Sequence, residues 1–147
     1  MITFDFDTKD IQYLKADYDL KTVAKAVRED IEENLIEVRS YDGSQIAPLK
    51  KSYADMKYKK LRQARIFDGF RKGSKKLINS IKMKKINDNH YQIYVSKAND
   101  NENIMKYLQE GKSPLNGARR AFGMGKAGVQ RIAVFLEEAL IIKANGR

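Results

Sequence analysis

The sequence predicts an α+β fold, and three observations carry that prediction. Residues 1 to 6 alternate, with Ile2, Phe4 and Phe6 on one side, as a half-buried strand does. Residues 20 to 39 repeat apolar side chains at helical spacing: Leu20, Val23, Ala24, Val27, Ile31, Leu35 and Val38. Residues 82 to 96 alternate about Asp88-Asn89, two residue types that tolerate the left-handed turn region, and so form a hairpin. Strand, helix and hairpin in this order give one domain over 1 to 147. A small antiparallel sheet, made of the N-terminal strand and the central hairpin, packs with a long N-terminal helix and a C-terminal helix.

The elements follow in order. Residues 8 to 18 are ambiguous, with Ile11, Tyr13 and Leu14 at one helical turn. Asp19 stands at the N-cap position of the long helix. The outer face of that helix holds Lys21, Lys25, Arg28, Glu29, Glu32 and Glu33, with Lys25 and Glu29 spaced for an i,i+4 pair. Ser40, Asp42-Gly43-Ser44 and Pro48 mark a loop over 40 to 49. Residues 51 to 63 read as a weakly amphipathic helix (Tyr53, Met56, Lys57, Lys60, Leu61), of the kind ordered by a partner. Asp68-Gly69 and Lys72-Gly73-Ser74 punctuate the next stretch, and 75 to 81 places Leu77, Ile78 and Ile81 on the core. In the hairpin, Met83, Lys85, Tyr91, Ile93 and Val95 alternate with Lys82, Lys84, Gln92, Tyr94 and Ser96. Residues 102 to 110 form a short helix closed by Gly111 at C′. Residues 112 to 125 are an irregular loop, and 126 to 143 a final helix burying Val129, Ile132, Ala133, Leu136, Leu140 and Ile141.

Composition narrows the function. A chain of 147 residues buries enough surface to fold without a metal or disulfide staple. It has no cysteine, which excludes disulfides and thiolate zinc sites. No apolar run reaches membrane-spanning length, and the first residues lack a signal-peptide pattern. A soluble protein folded in the cytoplasm, with no membrane partner, is the expectation. The net charge of +10 is segregated. Residues 1 to 47 hold 6 Lys/Arg and 11 Asp/Glu, whereas 48 to 147 hold 23 and 8. Most of the excess lies between Pro48 and Asn87, with 14 Lys/Arg against Asp55 and Asp68. Such a stretch is either a face for nucleic acid or an acidic partner, or a solvated surface. Copies of so polar a chain could associate head to tail.

Motif by motif, the case for an enzyme is weak. Gly123-Met124-Gly125-Lys126-Ala127-Gly128 spells G-x-G-x-x-G, but no buried strand precedes it and no βαβ unit follows. Its glycines are expected to permit a loop and a helix entry. Gly111-Lys112-Ser113 lacks the first glycine of a P-loop, because position 106 is Lys106. His90 is the sole histidine and has no second histidine for a metal site. Asp5, Asp7 and Asp10 fit a loop start better than a calcium site. Ser52 and Ser80 have no base and acid nearby in sequence, and a Ser80 hydroxyl bonded to backbone would be reason enough for that residue. No catalytic, cofactor or metal residue is assigned. Tyr53, Tyr58, Phe67 and Phe70 are interleaved with Lys and Arg, a mix that stacks bases or anchors an interface. No helix-turn-helix, RNP or zinc-finger pattern accompanies them.

A run of short signals sits between Gly43 and the last helix. Pro48-Leu49 leads into the Lys-rich stretch; then come Leu77-Ile78-Asn79-Ser80-Ile81, the hairpin, Tyr107-Leu108-Gln109-Glu110-Gly111 and Ala118-Arg119-Arg120-Ala121-Phe122-Gly123. Their order over residues 43 to 142 resembles the virion morphogenesis (tail-completion) proteins of Mu-like and related tailed phages. That family has a G…PL…S/T-K stretch, G-x-L-x-x-S-I, a hairpin, a Y…G segment, an A-R-P-F-L-G-like loop and a terminal helix. Two departures stand out. Arg120 replaces the usual Pro, and Gly73 precedes Leu77 by four positions rather than two. The resemblance implies a non-enzymatic structural protein of the neck or tail, acting in head–tail joining as a ring around the DNA channel. Its partners would be copies of itself and other neck or tail proteins, with nonspecific DNA contact left open. It would reside in the virion and, during assembly, in the host cytoplasm. The candidate partner- or DNA-facing residues are Lys57, Lys59, Lys60 and Arg62 in the basic segment, and Arg119, Arg120 and Phe122 in the loop. The alternative is a basic nucleic-acid-binding accessory protein of a mobile element.

Overall fold

The computed structural model describes residues 3–7, 20–61, 76–97, 100–111 and 117–136. Three strands, β1 (Thr3–Asp7), β2 (Ile81–Asn87) and β3 (His90–Val95), make one antiparallel sheet in the order β1-β3-β2. The helices among the described residues are α1 (Leu20–Ile36), α2 (Lys51–Leu61), α3 (Lys76–Asn79), α4 (Asn101–Glu110) and α5 (Lys126–Phe135). The α+β expectation holds.

Period-two patterning sets the sheet's faces. Phe4 stands opposite Ile93, Met83 opposite the same Ile93, and Ile81 opposite Val95. Phe4, Ile81, Tyr91, Ile93 and Val95 are buried on this inner face. The outer face pairs Thr3 and Lys82 with Tyr94, and Asp5 and Lys84 with Gln92. The hairpin turns at Asp88-Asn89 as expected, with the Asn89 amide donating to the Asn87 side chain at 2.8 Å. The predicted alternation fails at one place. A bulge between Lys85 and Asn87 shifts the register, so Lys85 is exposed although it lies opposite Tyr91.

Helix α1 lies against the inner face of this sheet. Val23, Val27 and Ile31, spaced at i,i+4, are fully buried, flanked by Leu20, Ala24 and Leu35. The helix was expected to run to 39 but ends at Ile36. Val38 takes a left-handed conformation, φ 53°, and the Arg39 amide reaches back to the Asn34 carbonyl at 3.0 Å. That is a Schellman closure with a β-branched residue where Gly is usual, a strained choice. Helix α4 closes at Gly111 (φ 67°) as expected; a Cβ there would also meet the Ala118 amide at 2.6 Å. Met105 and Leu108 of α4, Leu77 of α3, and Ile132 with Leu136 at the end of α5 complete the core. Ser80 is buried and its hydroxyl donates to the Leu77 carbonyl, the backbone role expected of it. Expectations at Ile2, 8 to 18, Asp19, 62 to 75 (including Phe67 and Phe70), and 137 to 143 (including Leu140 and Ile141) lie outside the described residues.

Candidate functional site

Three of the short sequence signals meet at one junction. The Arg119 amide donates to the Leu108 carbonyl at 2.7 Å, joining the 118–123 loop to α4. Gln109 clamps the next turn of that loop. Its Nε2 donates to the Phe122 carbonyl at 2.8 Å, and its Oε1 accepts from the Phe122 amide at 3.1 Å. The Arg119 side chain then reaches the Pro48 segment. Nε donates to the Ala47 carbonyl at 2.8 Å and one terminal nitrogen to the Pro48 carbonyl at 2.9 Å. A planar guanidinium suits this two-point hold, because its donors are fixed in a fork.

The exposure expected of Arg119 and Phe122 is therefore corrected. Arg119 is 3% exposed and Phe122 is a core residue. Small neighbours, Ala118 and Ala121, flank the arginine in the loop, and its guanidinium donates to backbone carbonyls. Burial pushes the Arg119 pKa down, opposed by the adjacent Tyr53 phenol. Arg120 does face solvent. It pairs with Asp42 at 3.3 Å, while its carbonyl accepts from the Tyr41 amide at 2.8 Å. Asp42 is held below the usual aspartate pKa. Burial alone would raise it, but hydrogen bonds from the Ser44 hydroxyl and amide, and from Arg120, outweigh that effect.

Tyr41 explains the first two glycines of the G-x-G-x-x-G string. Its ring is buried against Gly123, where a Cβ would come within 2.7 Å of it, and its carbonyl lies 2.0 Å from where a Cβ on Gly125 would stand. Gly128 admits the Met124 sulfur and an Asp30 carboxylate oxygen. Each glycine makes room for protein, in a loop and at the entry to α5, as the sequence led one to expect.

Past this junction the chain enters α2, where the basic segment begins. None of its described side chains is buried. Met56 and Tyr58 are exposed, Tyr58 at 56%, along with Lys51 and Lys59. Lys59 thus lies where it was expected. The side chains of Lys57 and Lys60, and the whole of Arg62, fall outside the described residues.

One feature escaped the sequence reading. Two polar residues, Asp30 and Asn34, sit on the buried stripe of α1. Asn34 is fully buried; it donates to the Ala121 carbonyl at 2.9 Å and accepts from Arg39 Nε at 2.8 Å. Asp30 receives a two-pronged bond from Arg131 of α5, at 2.7 and 3.0 Å, and a longer one from Arg39 at 3.5 Å. Above this cluster opens a cleft of about 470 Å³ between α1 and α5. Glu29, Glu32 and Glu33 line its α1 side, and Ile132 and Phe135 its α5 side. Burial raises the Glu32 pKa, only partly offset by Arg28 at 3.7 Å.

The remaining chemistry is sparse. His90 Nε2 lies 3.1 Å from Asp5, which also accepts from Gln92 at 2.9 Å, so the lone histidine joins a network on the sheet's outer face. Among the described residues no three or more of His, Asp and Glu are grouped to hold a metal, and no helix is long and apolar enough to cross a membrane. Comparison with protein-family models, with curated proteins and with solved structures gives no match.

Proposed function

We propose that this protein is a structural virion component of a tailed phage or prophage, acting by binding rather than catalysis where head and tail are joined. The observation that supports this reading is α2. An isolated 11-residue helix is marginal in water, and none of the described side chains of this one is buried, so a partner would add to its stability. This one carries exposed Met56 and Tyr58 among lysines, and the chain feeding it is fixed by Arg119. A binding helix on a fixed lead is what a subunit of a neck ring needs, and the order of motifs along the chain agrees with that role. The test is complementation of a phage lacking this gene with Lys51→Glu/Lys59→Glu protein. Both residues are exposed, so melting should be almost unchanged. Unjoined heads and tails are expected; a normal yield of infectious particles refutes the reading.

A different observation favours the nucleic-acid alternative. On the outer sheet face, Lys84, Gln92, Tyr94, Lys97 and Glu102 border a hollow of about 200 Å³. A tyrosine between lysines can stack a base while the lysines meet phosphates. Affinity for single-stranded DNA that falls steeply with salt, and is abolished by Tyr94→Ala, would favour that reading.

A further inference from the structure

We propose that the cleft between α1 and α5 receives helix α2 of a second copy of this chain. The inference rests on the assembly reading above and names its subunit contact.

The cleft is acidic where α2 is basic. Four carboxylates line it against the guanidiniums of Arg39 and Arg131, and both of those are bonded to Asp30. The field at the mouth is therefore set by Glu29 and Glu33, both exposed, and by half-buried Glu32. Burial raises the Glu32 pKa, so a cation brought close to this carboxyl would favour its charged form. The opposite wall offers apolar contact: Ile132 at the floor and Phe135 at the lip, 70% exposed.

Helix α2 presents the complement. With about 100° between successive residues, Lys51, Tyr58 and Lys59 fall within an arc of roughly 100°. Tyr58 could meet Phe135 while the two lysines reach the glutamates. Asp55 lies in the same arc and cancels one charge, but the segment from Lys50 to Arg62 holds six basic residues against this one acid. Among the described residues the cleft is lined by α1, α5 and Arg39, and by none of α2. One surface of a copy would thus meet a different surface of the next. Such heterologous contacts close into rings or run on as filaments.

Two variants test this as purified full chains. The first reverses the cleft, Glu29→Lys/Glu33→Lys; the second reverses the helix, Lys51→Glu/Lys59→Glu. Sedimentation velocity up to about 100 µM should show wild-type self-association, weakened near 0.5 M salt, where screening is within roughly 4 Å. Each variant alone should associate at least about tenfold more weakly. An equimolar mixture should recover association, because each variant then carries the other's complement. Three results would overturn the proposal: a monomeric wild type at the highest concentration, variants that associate like wild type, or a mixture that stays monomeric. Particle complementation separates this from the virion reading. A monomeric wild type whose helix variant still blocks particle assembly removes the inference and leaves the virion role with another partner. Recovery in the mixture, together with normal particles from the helix variant, keeps the contact and removes the virion role.

Discussion

Arg119 offers the sharpest test, because its sequence reading and its structure predict opposite outcomes. As a surface cation it could be reversed at almost no cost, typically under about 0.5 kcal/mol. In the structure it is 3% exposed and donates to two carbonyls of the Ala47–Pro48 segment. Hydrogen bonds to a charged group contribute roughly 1.5 to 3 kcal/mol each. Pro48 is an exposed residue and its carbonyl can regain water, so the lower part of the range applies. Arg119→Met, which keeps the apolar stem, should then cost about 3 kcal/mol. Arg119→Lys offers a point charge in place of a fork and should cost roughly 1 to 2 kcal/mol. Arg119→Glu sets a carboxylate against two carbonyls and should cost on the order of 4 kcal/mol or more. Urea unfolding measures this. With a slope of about 1.5 to 2 kcal/mol per molar, the Met variant's midpoint should fall by roughly 1.5 to 2 M. The neighbour is the control. Arg120→Glu loses only an exposed pair with Asp42 and should shift the midpoint little. Equal midpoints for the Met variant, the Arg120 variant and wild type would refute the buried-clamp account.

Other perturbations follow from the same geometry. Asp30→Ala strands Arg131 and leaves Arg39 bonded to Asn34; since Arg131 is 37% exposed, a loss of about 2 kcal/mol is expected rather than the ~3 to 5 of a fully buried pair, read by urea unfolding. Gly125→Ala should cost on the order of 3 kcal/mol, because its Cβ would stand 2.0 Å from the Tyr41 carbonyl; calorimetry of wild type with NAD and ATP should show no micromolar binding. Asp42, with its lowered pKa, contributes stability above the ordinary aspartate range that is lost as pH falls through its folded value. Asp42→Asn should therefore lower the melting temperature near neutrality and leave it unchanged at a pH below that value, measured as the pH dependence of the melting difference. Leu35→Asp and Leu136→Asp should each cost several kcal/mol and Lys21→Asp almost nothing, since the first two are 2% exposed and Lys21 is on the wet face; three similar melts would refute the helix phases.

The regular elements were legible because local periodicity encodes them. The phase of α1, the hairpin with its Asp88-Asn89 turn, and Gly111 as a helix stop need only near neighbours in sequence. What could not be read depends on partners far along the chain. Asn34 is satisfied by Ala121, 87 positions on, and Asp30 by Arg131, 101 positions on. A polar residue on an apolar stripe shows in the sequence as an interruption and nothing more. The glycines of G-x-G-x-x-G were readable as a loop, but the cause of the first two, Tyr41, is more than 80 residues upstream. Arg119 reads as a surface residue because it lies in an irregular loop, off the apolar stripes of the helices and strands. A usable signal was present: Gly117, Ala118 and Ala121 around it are the small residues a chain needs where backbone closes over a large side chain.

The convergence of the short motifs bears on where the function lies. Pro48, the Tyr107–Gly111 segment and the Ala118–Gly123 loop are bonded to one another, through Arg119 to Pro48 and Leu108 and through Gln109 to Phe122. These residues belong together because they close the fold, and that role needs no contact with a partner. Arg119 and Phe122 are then no more partner-facing than Ile93 is. On the assembly reading proposed above, the surface lies on what the junction positions, because the chain leaving Pro48 runs directly into α2. Arg119 would act on assembly at one remove, by fixing that helix's starting point. Arg119→Lys should therefore weaken self-association in a protein that is still folded, and restoring its melting temperature by stabilising changes elsewhere should leave the defect in place. Association that recovers with the melting temperature would mean that Arg119 supports the fold alone.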